Sequence, residues 1–366
     1  MMRKILSNST KFKQINYLKF YYSKEVDRVV VANPSIDKFN INESSSQNSC
    51  RMNETIQLVK GLSKFNLTNF VVLSSMCGYA LGASTIPESL PFLHHMIAFG
   101  GVSCGTWLAS ASANCFNQIA EVEHDRKMLR TKARVLVRNV ISFNFSKETA
   151  QKIGFAWAGS GIGILYYMCN PTVALIGATN ILLYVKFYTP LKRIHEANTW
   201  VGSVVGALPP IMGWCAATGA IDPGSFLLAS LLYCWQFPHF MALSWMAKKD
   251  YEKAGYVMTS SVNPDRSKRV ALRHSLAASL ITIAGIGCKA SIIGPWAGAA
   301  IGVTALPANL ALLHAAYKFY NSPNDETNQY ARKLFFITLI HLPVVMGSSL
   351  IITYWEELAN SISYLM

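Results

Sequence analysis

Charge is scarce in this 366-residue chain. Asp, Glu, Lys and Arg make up only 14% of it, against about 25% in an ordinary soluble domain. Acids are the scarcer sign, 19 against 33 bases, leaving a formal net charge of +14. With 51% hydrophobic residues, this deficit excludes an ordinary soluble globular protein. A basic excess often marks a nucleic-acid partner, but the chain is too apolar for a DNA-binding domain, and none is expected. Cysteine pairing is also missing. The eight cysteines (Cys50, Cys77, Cys104, Cys115, Cys169, Cys215, Cys234 and Cys288) form no CxxC. They read as small buried hydrophobes, and no zinc or iron–sulfur site is implied.

What is there is long apolar runs. A spanning helix needs roughly 20 mostly apolar residues, and nine such runs occur, near 66–84, 91–117, 149–169, 171–187, 200–219, 223–245, 272–290, 292–317 and 334–354. Asn170 and Pro171 make a tight hairpin between the third and fourth. The expected fold is all-α: a polytopic membrane bundle of nine helices around a central cavity. Loops 118–152, 186–199, 246–273 and 318–333 hold 21 Lys/Arg against 10 Asp/Glu. The opposite side has Lys289 against Glu88, Asp222, Glu356 and Glu357. The positive-inside rule places the basic loops and the N-terminus in the compartment of insertion.

Residues 1–28 carry Arg3, Lys4, Lys11, Lys13, Lys19, Lys24 and Arg28, with no acid before Glu25. They have no long apolar run and look like a mitochondrial transit peptide. Residues 29–62, rich in Asn and Ser, read as a polar flexible linker. The bundle is expected over 63–355, with a C-terminal tail at 356–366. The chemistry must then sit in the bundle and its basic-side loops.

The most informative stretch begins at Asn114. Asn117, Glu121 and Asp125 are spaced i, i+4, i+8 and line one face of a helix that leaves the membrane on the basic side. Carboxylates at a membrane boundary are costly and mark function. Two carboxylates and an amide oxygen suit magnesium, which completes its octahedron with water and phosphate oxygens. Arg126, Lys127, Arg130, Lys132 and Arg134 follow, and Arg forks onto phosphate. Acids for a metal and bases for phosphate at a membrane surface point to a lipid diphosphate. The other reading is a solvated, charged helix end.

The string NxxxExxxDxxMxRTxxR resembles the first signature of the UbiA-type intramembrane prenyltransferases. Its Arg130-Thr131 is similar to the protoheme IX farnesyltransferase branch. The resemblance implies nine transmembrane helices, magnesium held by Asn117, Glu121 and Asp125, and diphosphate contact from Arg130 and Arg134. The branch has Pro where this chain has Val135.

Two later strings resemble the same branch. The first runs from Tyr188-Thr-Pro190-Leu-Lys192-Arg193-Ile-His195 through Asn198 to Pro209-Pro210 and Trp214. Lys192 and Arg193 suit phosphate, and the paired prolines are expected to break the helix at a cavity wall. The second is Trp235-Gln236-Phe237-Pro238-His239-Phe240, followed by Asp250-Tyr251. The resemblance implies that Asp250 helps bind a further magnesium, although Lys249 stands where the family often has a second acid. His195 and His239 are candidates to orient a porphyrin. Trp214, Trp235, Phe240 and Trp245 are candidates to face an allylic cation, or to pack.

The resemblance spans about 57–355. It implies transfer of a farnesyl group from farnesyl diphosphate to a vinyl group of heme B, with water addition, giving heme O for heme A formation and cytochrome c oxidase. The implied setting is the mitochondrial inner membrane, with the site on the matrix side, and heme A synthase is a candidate partner. A quinone-precursor polyprenyltransferase would lack the later strings. A non-catalytic heme carrier would need no diphosphate site.

Overall fold

The computed structural model describes residues 43–86, 91–138, 145–292, 294–323 and 326–365. The expected transit peptide lies outside them. The bundle belongs to one compact unit, Glu54–Met366.

Among the described residues all regular structure is helical. Helix α1 is Glu43–Ser63, within the stretch read as a linker, and α2 is Phe65–Ala83. Lys64 joins them in the left-handed conformation, φ 49°. Helix α3 is Phe92–Asp125, α4 the short Val135–Arg138 and α5 Lys147–Met168. Helix α6 runs Pro171–Leu191, and α7 is Asn198–Thr218, α8 Pro223–Met246, α9 Lys248–Ala254 and α10 Thr259–Val262. Helices α11 (Pro264–Ile292), α12 (Pro295–Tyr320) and α13 (Thr327–Leu365) complete the chain. The segment read as a tail is therefore helical as far as Leu365.

Helices occupy all nine expected positions. Seven of them, α3, α6, α7, α8, α11, α12 and α13, are long and apolar enough to cross a membrane. The other two are more polar. Helix α2 carries Asn66, Thr68, Asn69, Ser74 and Ser75, and α5 opens with Lys147, Glu148, Gln151 and Lys152. Large apolar side chains such as Phe92, Tyr167 and Val303 face outward, as lipid contact requires.

Local signals place the helix ends. Ser146 caps α5 by accepting from Thr149 N, and Asn170 caps α6 by accepting from Val173 N with Pro171 behind it. Asp222 and Ser225 form a reciprocal capping box at α8.

Two features differ from expectation and shape the interior. Pro209 and Pro210 do not break α7, which is continuous from Asn198 to Thr218. They delete the ladder donors for the carbonyls of Val205 and Gly206, yet the helix stays continuous where it packs closely against α2. Helix α6 widens into a π-helical segment, Leu183–Tyr188, just before Pro190. Thr189 Oγ1 donates to Tyr184 O at 2.9 Å within this turn. Such bulges commonly sit at functional sites.

Candidate active site

Helix α3 does not stop at the end of its apolar run near 117 but continues to Asp125. The expected stripe is therefore built on a rigid helix. Asn117, Glu121 and Asp125 are 0%, 2% and 1% exposed. Buried carboxylates need partners, and each of the three finds a cation. Lys64 Nζ donates to Asn117 Oδ1 at 2.5 Å. Lys192 Nζ donates to Glu121 Oε1 at 2.9 Å. Arg134 Nη1 pairs with Asp125 Oδ2 and lies 3.6 Å from Glu121 Oε2.

The elements around α3 set these cations in place. The π segment of α6 brings Tyr184, Tyr188 and Lys192 to the same place, with Lys192 Nζ 4.4 Å from the Tyr188 ring centroid. Asn117 Nδ2 donates to Thr189 Oγ1 at 3.1 Å. In the turn after α3, Thr131 Oγ1 donates to Asp125 O at 2.9 Å and fixes the approach of Arg134. Arg130 Nη2 donates to the Tyr251 hydroxyl at 2.9 Å, its guanidinium 5.7 Å from that ring. The α9 segment is fastened back to α3 where His124 Nδ1 meets Ala254 O at 2.6 Å.

This charged cluster is the polar end of a cavity of about 430 Å³. Lys64, Arg130, Arg134 and Lys192 line it with Glu121 and Asp125. Leu67, Val71, Ile181, Met212 and Leu243 line its apolar part. Four basic side chains face two carboxylates, so basic groups outnumber acids at the polar end. Burial, followed by the charge on Arg134, holds Lys64 well below the ordinary lysine range, with Glu121 opposing. An incoming anion relieves that strain. The Tyr256 hydroxyl, also on the wall, is buried without a partner. An orphan of this kind costs ~1–3 kcal/mol unless a ligand oxygen meets it.

The donors fit magnesium. Among the described residues no group of three or more His, Cys, Asp or Glu converges. Glu121 and Asp125 line the cavity and are the pair of carboxylates this ion takes when phosphate supplies the rest of its shell. Asn117, on the same stripe, is not among the lining residues, and its Oδ1 accepts from Lys64.

Other expected site residues stand apart. Arg193 is exposed, and its Nη2 donates to Ala120 O at 2.5 Å. His195 is exposed, with Nδ1 accepting from Ala197 N at 3.0 Å. Asp250 is half-buried in the first turn of α9 and does not line the cavity, although its neighbour Tyr251 does. His239 lines it. Of the aromatic candidates only Phe240 does. Trp214 Nε1 donates to Asp222 Oδ2 at 2.8 Å, Trp235 Nε1 to Thr338 O at 2.9 Å, and Trp245 packs on Phe319.

Several lining residues had no assigned role in the sequence reading: Lys64, Asn114, Gln236, Tyr251 and Tyr256. Asn114 had a visible signal, lying one turn before Asn117 on the same helix. Its amide donates to Ser63 O and Thr68 Oγ1, and its oxygen accepts from the Tyr184 hydroxyl.

Comparison with known proteins identifies the chain's relatives and fold. The model of the UbiA prenyltransferase family matches residues 71–340. The chain is 44% identical over 285 residues to the mitochondrial protoheme IX farnesyltransferase of Homo sapiens, covering 78% of this chain and 60% of that one. It is 41% identical over 309 residues to the protein of the same name from Neurospora crassa, covering 78% and 58%. The chain thus spans about 60% of the length of these curated relatives. A solved structure of digeranylgeranylglyceryl phosphate synthase superposes with a TM-score of 0.66 at 14% identity, covering 82% of this chain and 99% of that one. A UbiA homolog from Archaeoglobus fulgidus bound to GPP and Mg2+ gives 0.54 at 13% identity, covering 80% and 99%. Sequence match and shared fold lead to one conclusion: the chain belongs to the UbiA prenyltransferase family.

Proposed function

We propose that this chain transfers the farnesyl group of farnesyl diphosphate to a vinyl group of heme B, with addition of water, to give heme O. The observation that carries the reading is the convergence of Lys64, Arg130, Arg134 and Lys192 with Glu121 and Asp125 at the polar end of an apolar cavity. The names of the curated relatives favour heme B as acceptor. The Arg130-Thr131, Tyr188–Arg193 and Trp235–Phe240 strings favour it over a quinone precursor.

Asn117, Glu121 and Asp125 would hold magnesium, which when bound neutralises diphosphate charge and eases its departure. Asp250, next in sequence to the cavity-lining Tyr251, is the candidate carboxylate for a second ion. Lys64, Lys192, Arg130 and Arg134 bind the diphosphate oxygens and stabilise the charge that develops on the leaving group. Leu67, Val71 and Met212 receive the isoprenoid and exclude water from the allylic cation. That cation adds to the vinyl terminus, and water captures the new cation beside the macrocycle.

The relatives' mitochondrial names, with the basic stretch 1–28, support the mitochondrial inner membrane, with the basic loops and the site facing the matrix. The product then feeds heme A formation, with heme A synthase a candidate partner. The test gives purified protein farnesyl diphosphate, heme B and magnesium. Mass spectrometry should find a heme heavier by farnesyl plus water. Unaltered heme B under all conditions refutes the reading.

A further inference from the structure

Gln236 and His239 lie one turn apart on α8, and both line the cavity. Residues at i and i+3 share a helix face. Each has spent its donors on the protein. Gln236 Nε2 donates to Ser203 O at 3.0 Å and to Leu232 O at 3.1 Å, which uses both amide protons. Its Oε1 lies over Gly206, where a Cβ would stand 2.1 Å away. Only glycine leaves the oxygen that place on the wall.

His239 is fixed by a chain of hydrogen bonds. Thr338 Oγ1 gives its single proton to Phe335 O at 2.6 Å. The 2.9 Å contact between His239 Nδ1 and Thr338 Oγ1 therefore has the imidazole as donor. The proton sits on Nδ1, and Nε2 keeps a lone pair. Trp235 and Phe335 stack against the ring at 4.9 and 4.8 Å. Trp235 is itself tied to Thr338 O, so tautomer and orientation are set together.

Two cavity-lining residues of one helix face thus each keep an acceptor and no free donor. A water molecule complements them, offering two O–H donors and retaining its lone pairs.

We propose that Gln236 Oε1 and His239 Nε2 hold the water that ends the reaction, and that His239 Nε2 takes its proton. This rests on the heme-farnesylating reading above. Once the farnesyl carbon has bonded to the vinyl terminus, positive charge lies on the carbon beside the macrocycle. The water oxygen forms the new C–O bond to that carbon. One O–H bond breaks, and its proton passes to Nε2. The charge moves from carbon to imidazolium, which later releases the proton to solvent or to the freed pyrophosphate. Fixed by two acceptors, the water reaches only the carbon placed beside it. The first allylic cation, formed at the diphosphate, is spared.

The test compares wild-type, Gln236→Leu, His239→Ala and Thr338→Val proteins in lipid nanodiscs. Each receives farnesyl diphosphate, heme B and magnesium, with folding checked by circular dichroism and products resolved by mass spectrometry. The wild type should give heme carrying farnesyl plus water. In Gln236→Leu and His239→Ala the cation should lose a proton instead, making a farnesyl heme lighter by one water the major product. Thr338→Val, nearly isosteric, frees the tautomer and should shift the ratio the same way by less. A wild-type product ratio in all three variants overturns the proposal. So do folded variants that lose transfer and hydration together, because a group acting after C–C bond formation cannot abolish transfer. An altered visible spectrum of bound heme B in His239→Ala with an unchanged ratio also overturns it, and makes the histidine an iron ligand. Wild-type protein that prenylates no heme refutes the heme-farnesylating reading instead.

Discussion

Lys192 Nζ donates to Glu121 Oε1 at 2.9 Å, joining the end of α6 to the basic end of α3. The two side chains are 13% and 3% exposed. Removing one partner of a buried pair strands the other charge and costs ~3–5 kcal/mol. Lys192→Met should therefore lower the melting temperature and cut turnover by roughly 10²–10³-fold, the usual loss for a stabilising group at a developing charge. The double variant Lys192→Met/Glu121→Gln has no stranded charge. It should regain stability but not turnover. Thermal denaturation and the heme product assay separate the two effects.

Asp125 faces Arg134 on one side and the cavity on the other. Asp125→Asn keeps the shape and removes the charge. The magnesium concentration for half-maximal rate should rise about tenfold or more, a shift worth ~1.4 kcal/mol. Asp125→Ala with full activity and an ordinary magnesium response would remove this residue from the metal assignment.

Arg130 meets Tyr251 twice, through a 2.9 Å hydrogen bond and through the ring face. Tyr251→Phe deletes only the first contact. It should raise KM for the diphosphate by up to about tenfold at nearly constant kcat, in line with ~0.5–1.5 kcal/mol for one hydrogen bond. Tyr251→Ala also removes the surface under the guanidinium, and its effect should be larger. Equal behaviour of the two variants would show that the ring contact is idle.

The sequence made some of this site legible and concealed the rest for physical reasons. Glu121 and Asp125 stood out because helical spacing is written in the chain and carboxylates are rare in apolar surroundings. Lys64 did not, because it sat in an ordinary polar stretch. Its reach to Asn117 depends on a left-handed turn that no composition signal announces. The π segment at Leu183–Tyr188 was equally hidden, although it turns Tyr184, Tyr188 and Lys192 toward the cavity. At Pro209-Pro210 the local rule pointed to a break, and tertiary packing overrode it. His195 and Arg193 share a motif with Lys192, yet the turn between α6 and α7 leaves them on the surface. Motif membership located the loop, and only the fold sorted its side chains.

That override makes its own prediction. A Cβ on Gly213 would lie 1.8 Å from Ser75 O and 2.7 Å from Tyr79 N, and one on Gly78 would lie 2.2 Å from Pro210 O. Helices α2 and α7 thus meet backbone to backbone where the prolines stand. The neighbouring atoms are main chain, so no side-chain rotation makes room. Gly213→Ala should push the helices apart and cost ~1–3 kcal/mol, the range for overpacking. Gly78→Ala should do the same. The double variant should lose less than the sum, because both methyls open one seam and the second enters space made by the first. Thermal denaturation of the three proteins in one detergent decides it. Strict additivity would mean that the two glycines serve independent contacts and that something other than this seam keeps α7 continuous through Pro209 and Pro210.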